Sequence, residues 1–106
     1  MKGIYVSRAT DQESFNHYYT DLMHESNQNL IDEYNKQAKL GFVGVHQQIV
    51  YLLALRKAMN IRFGKSPITI ENDIVVGMSG QIYLMGNSYH HSQLLSSLYQ
   101  LLRKII

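Results

Sequence analysis

The sequence contains no cysteine and no tryptophan, and its one proline is Pro67. Without cysteine there is no disulfide framework, no thiolate nucleophile and no cysteine-ligated zinc. Long apolar runs are missing as well, and none approaches the roughly 18 residues that a membrane-spanning helix requires. The opening MKGIYVSRAT has no apolar stretch of the kind a secretory signal needs. No Asn-x-Ser/Thr sequon occurs. These absences set the expectation of a cytoplasmic protein with no membrane partner. Nor does charge of one sign dominate: ten Lys and Arg face eight Asp and Glu, a formal net charge of +2 that is too small to name a partner.

What is present is an ordinary globular composition, 45% apolar and 17% charged over 106 residues, which predicts a single α+β domain spanning 1–106. The charge is unevenly placed. Residues 1–35 hold two basic and six acidic side chains, whereas 36–66 hold Lys36, Lys39, Arg56, Lys57, Arg62 and Lys65 with no acid. That asymmetry admits a nucleic-acid face on Arg56, Lys57, Arg62 and Lys65. The simpler expectation is that the two halves neutralise each other in the fold.

Residues 3–7 read as a short strand, and Thr10 with Glu13 has capping-box spacing for a helix that buries Phe15, Tyr19, Leu22 and Met23. The polar run 26–29 leaves open whether 11–38 is one helix or two. In the second case Ser26 or Asn27 caps a helix carrying Leu30, Ile31, Tyr34 and Ala38 that stops at Gly41. A helix over about 45–63 is apolar on most sides and therefore central; Arg56, Lys57 and Arg62 suit its negative end, and Gly64 and Pro67 stop it. Short β-branched segments follow at 68–70, 74–77 and 81–85, with a turn at Asn72-Asp73. Asn87 or Ser88 is then read as the cap of a final amphipathic helix whose stripe includes Leu94, Leu98, Leu101, Leu102, Ile105 and Ile106. The predicted fold is thus three or four helices with a two- or three-stranded antiparallel hairpin or meander before a C-terminal helix.

Few stretches suggest chemistry. Gly77-Met78-Ser79-Gly80 has the G-x-x-G spacing of a backbone-clamping KH loop, but strand-like sequence lies on both sides and neither central residue is basic. A Ser79-Gly80 hairpin turn pairing Val76 with Tyr83, with Gly80 at positive φ, accounts for both glycines. Gly64-Lys65-Ser66 ends like a phosphate-binding loop, yet Met59 stands where that loop needs glycine, and helix precedes where strand should. His24-Glu25-Ser26-Asn27-Gln28 has Gln28 in place of the second histidine of a zinc helix. His17, Asp21 and His24 share a helix face and could hold a divalent metal, although that face lies opposite Phe15, Tyr19 and Leu22 and should be solvated. His90 and His91 fall on the first turn of the last helix and diverge, with His91 in register with the apolar stripe; His46 is read likewise as partly buried.

No paired carboxylates, nucleophile elbow or ordered triad is visible, so an enzyme is not expected and no cofactor is implied. Eight tyrosines supply potential interface anchors. The reading is therefore a small non-enzymatic module that binds another macromolecule, first a protein. Nucleic acid through the basic central helix is the alternative, and a metal-dependent enzyme on His17, Asp21 and His24 comes third. The width of the last stripe also predicts a homodimer through Leu98, Leu102, Ile105 and Ile106.

Overall fold

The polar run at 26–29 ends one helix and begins another. In the computed structural model, which describes residues 9–71 and 74–91, Ser26 is the N-cap and its hydroxyl accepts the Asn29 amide at 3.1 Å. Three helices result, α1 (Ala9–Met23), α2 (Asn27–Leu40) and α3 (His46–Phe63), followed by strands β1 (Ile68–Glu71), β2 (Ile74–Met78), β3 (Ile82–Met85) and β4 (Ser88–His91). The glycine stops act as expected. Gly41 and Gly64 both adopt φ of 77°, and their amides close back on Gln37 and Asn60. Such left-handed backbone carries no penalty without a Cβ. Thr10 lies within α1, which already runs at Ala9, so it is not the N-cap expected from the capping-box spacing.

Side-chain contacts fix how the helices run. His46 meets Asp11 at the start of α1 and α3, and Arg62 meets the Met23 carbonyl at their ends, so these two helices are parallel. Gln48 with Gln37, and Arg62 with Asn27, place α2 antiparallel to α3. Helix α3 supplies Val50, Leu52, Ala54, Leu55, Ala58 and Met59 to the core, the consequence of being apolar on most faces. Leu22, Leu30, Ile31 and Tyr34 join from α1 and α2, and Ile68, Ile82 and Tyr89 from the strands. Phe15, Tyr19 and Met23 are half-buried against that core.

The strands form two separate antiparallel pairs. β1 pairs with β2, Glu71 opposite Ile74, with an irregularity between Thr69 and Ile70. β3 pairs with β4, Met85 opposite Ser88, so Gly86 and Asn87 are a two-residue turn with Gly86 at φ 63°. This corrects two expectations. Ser79-Gly80 is not a hairpin turn, since β2 and β3 lie in different pairs, and Gly80 is not among the glycines at positive φ. Likewise 88–91 is strand, not the start of a helix. His90 stands opposite Tyr83 with ring centroids 5.9 Å apart, and His91 is exposed instead of lying on an apolar helical stripe. The expected strand at 3–7, turn at Asn72-Asp73 and final helix with its interface residues Leu98, Leu102, Ile105 and Ile106 lie outside the described residues.

Residues 79–81 are held by α2. The Tyr34 hydroxyl donates to the Gly80 carbonyl at 2.9 Å and also to the Ser79 carbonyl. The Asn35 amide imitates a neighbouring strand, donating to the Ile82 carbonyl at 2.7 Å and accepting the Ile82 amide at 2.8 Å. The Ser79 amide and hydroxyl donate to the Pro67 carbonyl. Every one of these bonds is long-range in sequence.

Burial pushes Tyr34 up to about 12 from the usual 10; the nearby Tyr89 adds to this and the hydrogen bond to Ser79 opposes it. Burial and then the hydrogen bond to Glu33 raise Tyr51, and burial raises Tyr89. An unfolded chain releases the Tyr34 proton near pH 10, whereas the folded chain keeps it until about pH 12. The stability this contributes is therefore complete below pH 10 and lost as pH rises toward 12. Urea midpoints should decline across that window, and less steeply in Tyr34→Phe; equal slopes for the two proteins would disprove the assignment to Tyr34.

Candidate interaction site

The connector between α2 and α3 is too short to form an element, yet together with the last residue of α2 the stretch reads Leu-Gly-Phe-Val-Gly-Val. Four of its side chains face outward: Leu40 is 60% exposed, Phe42 46%, Val43 48% and Val45 52%. These values decide what the segment is, because apolar residues this close together are seldom left uncovered on one loop. The loop is also held. Gln48 donates to the Gly41 carbonyl at 2.8 Å and to Gln37 at 3.1 Å, while its own oxygen accepts the Val43 amide at 3.1 Å. One glutamine amide thus ties both arms of the loop to α3. With Gly41 and Gly44 both at φ 77°, the backbone turns outward and keeps its apolar side chains in water.

A groove of about 290 Å³ adjoins the loop, lined by Leu40, Val43 and Val45 on one side and by Tyr18 and Tyr51 on the other. The two tyrosine rings meet edge to face at 5.3 Å. The Tyr51 hydroxyl donates to Glu33 at 2.6 Å, and that of Tyr18 reaches Gln47 at 3.4 Å. Two fixed aromatic rings beside exposed aliphatic side chains are the usual composition of an interface centre. No family model, curated protein or solved structure matches this chain. The reading of the site therefore rests on its geometry.

The four sequence-predicted cations are not brought to one face. Arg62 donates to the Met23 and Glu25 carbonyls and to Asn27, at 3.1, 3.0 and 2.8 Å, and is half-buried between α1 and α2. Arg56 and Lys57 stand about 120° and about 140° round the helix from it and line a different cleft. Lys57 lies 4.4 Å above the Tyr19 ring and 5.7 Å from that of Phe15. Lys65 lies 4.7 Å over Tyr89. Of the proposed metal set, His17 pairs with Asp21 at 3.3 Å with both side chains largely exposed, and the His24 ring nitrogen sits 2.8 Å from the Thr20 carbonyl. Among the described residues no group of three or more His, Cys, Asp or Glu is placed to hold a metal. Nor is any helix of the described residues long and apolar enough to cross a membrane.

Sequence reasoning missed three features. Asp11 is buried at 3% exposure, with Oδ1 2.8 Å from His46 Nε2 and Oδ2 lacking a partner among the described residues. The apolar connector was legible, since Phe42, Val43 and Val45 sit between two helices where polar turn residues are expected. The Arg56 cleft had no local signal.

Proposed function

We propose that this protein is a non-enzymatic binding module that engages a partner protein through residues 40–45 and the adjoining Tyr18–Tyr51 groove. The observation that carries this reading is the pre-set loop: Leu40, Phe42, Val43 and Val45 are exposed while Gln48 fixes the backbone that presents them. A surface ordered before contact loses little conformational entropy on association, so its apolar area contributes more to affinity. The partner chemistry that fits is an apolar side chain entering between the aliphatic residues and the two tyrosines. A cytoplasmic setting belongs to the same proposal.

The test is a capture experiment with the full chain, followed by hydrogen exchange on the purified complex. Protection should concentrate on 40–45 and around Tyr51. Phe42→Asp should weaken capture about tenfold or more, because a charge at an interface centre is desolvated without a partner. Phe42 is already half-exposed, so the melting temperature should hardly move. A complex that forms equally well with Phe42→Asp would overturn the reading.

Nucleic-acid binding through Arg56, Lys57, Arg62 and Lys65 is the less supported proposal, given where the donors of Arg62 are committed. A metal-dependent reaction at His17, Asp21 and His24 has less support still. Self-association through Leu98, Leu102, Ile105 and Ile106 is a separate proposal from sequence pattern alone. Sedimentation at the 12.3 kDa monomer mass over a wide concentration range would remove it.

A further inference from the structure

Partway along α3, away from the loop, a cleft of about 380 Å³ opens between α1, α3 and β1. Its apolar lining is Phe15, Leu53, Ile61 and Ile70, its neutral polar groups are Gln12 and Asn60, and its charged residues are Arg56 and Lys57. We propose that this cleft binds a compact apolar ligand bearing a carboxylate, with the Arg56 guanidinium as the group that receives it.

Three observations converge. The first is the unmet donor: Arg56 Nε is buried and has no hydrogen-bond partner among the described residues. A guanidinium cannot shed its proton, so a buried N–H of this kind carries a standing cost, one that a small turn of the side chain toward an acceptor in the cleft would relieve. A carboxylate meets the N–H groups of arginine in a two-pronged fork, which suits it to such a donor. The second is charge. Among the described residues no carboxylate lines the cleft, and Lys57 at its edge is steadied by the faces of Tyr19 and Phe15. The positive potential there is thus uncompensated within the lining. The third is size and surface: a small, mostly apolar cavity with a few converging polar groups fits one ring and a short linker. A nucleic-acid backbone would instead need an open basic track. The carboxylate has two possible sources, a free small acid or the C-terminal carboxylate of a protein.

The test is a methyl and amide NMR titration of the full chain with 3-phenylpropionate, with its neutral amide, and with a short peptide ending in phenylalanine. The acid should shift the methyl signals of Leu53, Ile61 and Ile70 and leave those of Val43 and Val45 in place. The amide should bind about ten- to a hundredfold more weakly, the usual effect of removing charge from such a hydrogen bond. Arg56→Lys, which keeps the charge and loses the fork, should weaken the acid to a similar degree. Because Arg56 is half-buried, Ile61→Glu serves as the second variant. Ile61 is 55% exposed, so the fold should survive, and a carboxylate at the cleft edge should abolish binding of the acid. Tighter binding of the peptide than of the free acid would assign the site to a protein C-terminus, and the reverse order to a small metabolic acid. The proposal is overturned if acid and amide bind alike, if the shifts fall outside the cleft, or if the acid causes none at millimolar concentration. These outcomes do not touch the loop at 40–45, whose capture experiment stands or falls separately.

Discussion

Replacing Arg62 with alanine should lower the unfolding free energy by about 2–4 kcal/mol, read from urea denaturation. The size follows from what the side chain holds. Its two terminal nitrogens donate to the Met23 carbonyl, the Glu25 carbonyl and Asn27 Oδ1. The first two are carbonyls at the end of α1 and in the turn after it, groups for which the helix itself provides no donor. Asn27 begins α2, so a single guanidinium on α3 fastens the α1–α2 corner to the central helix. Hydrogen bonds from a charged donor are worth more than neutral ones, and their loss leaves half-buried acceptors bare. Arg62→Lys keeps the charge and can satisfy the positions only in part, so it should recover less than half of the loss. A decrease below about 0.5 kcal/mol for Arg62→Ala, the range of ordinary surface changes, would show the corner to be held by other contacts.

Arg62 also shows how far the sequence could be read. A cation in the last turn of a helix suits the negative end of that helix, and the sequence reading placed it there. The structure uses it on carbonyls of a different helix, which local spacing cannot reveal. The helices themselves were legible because their signals are local: Ser26 caps α2, Gly41 and Gly64 close α2 and α3, and α3 is apolar on most faces. The β1–β2 pair followed from β-branched residues. The second pair was misread since Gly86-Asn87-Ser88 serves equally as turn chemistry or as a helix cap, and only Tyr89 and His90 pairing across to β3 decides between them. The candidate sites divide in the same way. The loop at 40–45 is visible as apolar residues in the wrong place. The Arg56 cleft gathers residues from α1, α3 and β1, and nothing in any one of those segments announces it.

The largest single loss is expected for Tyr34→Ala, about 3–5 kcal/mol. Tyr34 is fully buried and is the largest of the fully buried side chains among the described residues, so truncation removes an aromatic ring from the centre of the core and leaves a cavity that its neighbours fill only in part. It also frees the Ser79 and Gly80 carbonyls, to which the hydroxyl donates. Those bonds are what join the helical layer to the connector between the two strand pairs, with Asn35 acting one residue along on Ile82. Two variants separate packing from attachment. Tyr34→Phe keeps the ring and should lose only about 1–2 kcal/mol, with faster amide exchange appearing first at Gly80 and Ile82. Tyr34→Ala should destabilise all elements together, since a domain of this size unfolds as one unit and its whole stability is only about 5–15 kcal/mol. If Tyr34→Phe cost as much as Tyr34→Ala, the hydroxyl bonds rather than the ring would hold the strand pairs to the helices. The opposite result, no change in exchange at Gly80 and Ile82, would mean that Asn35 and the Ser79–Pro67 bonds secure the connector without the Tyr34 hydroxyl.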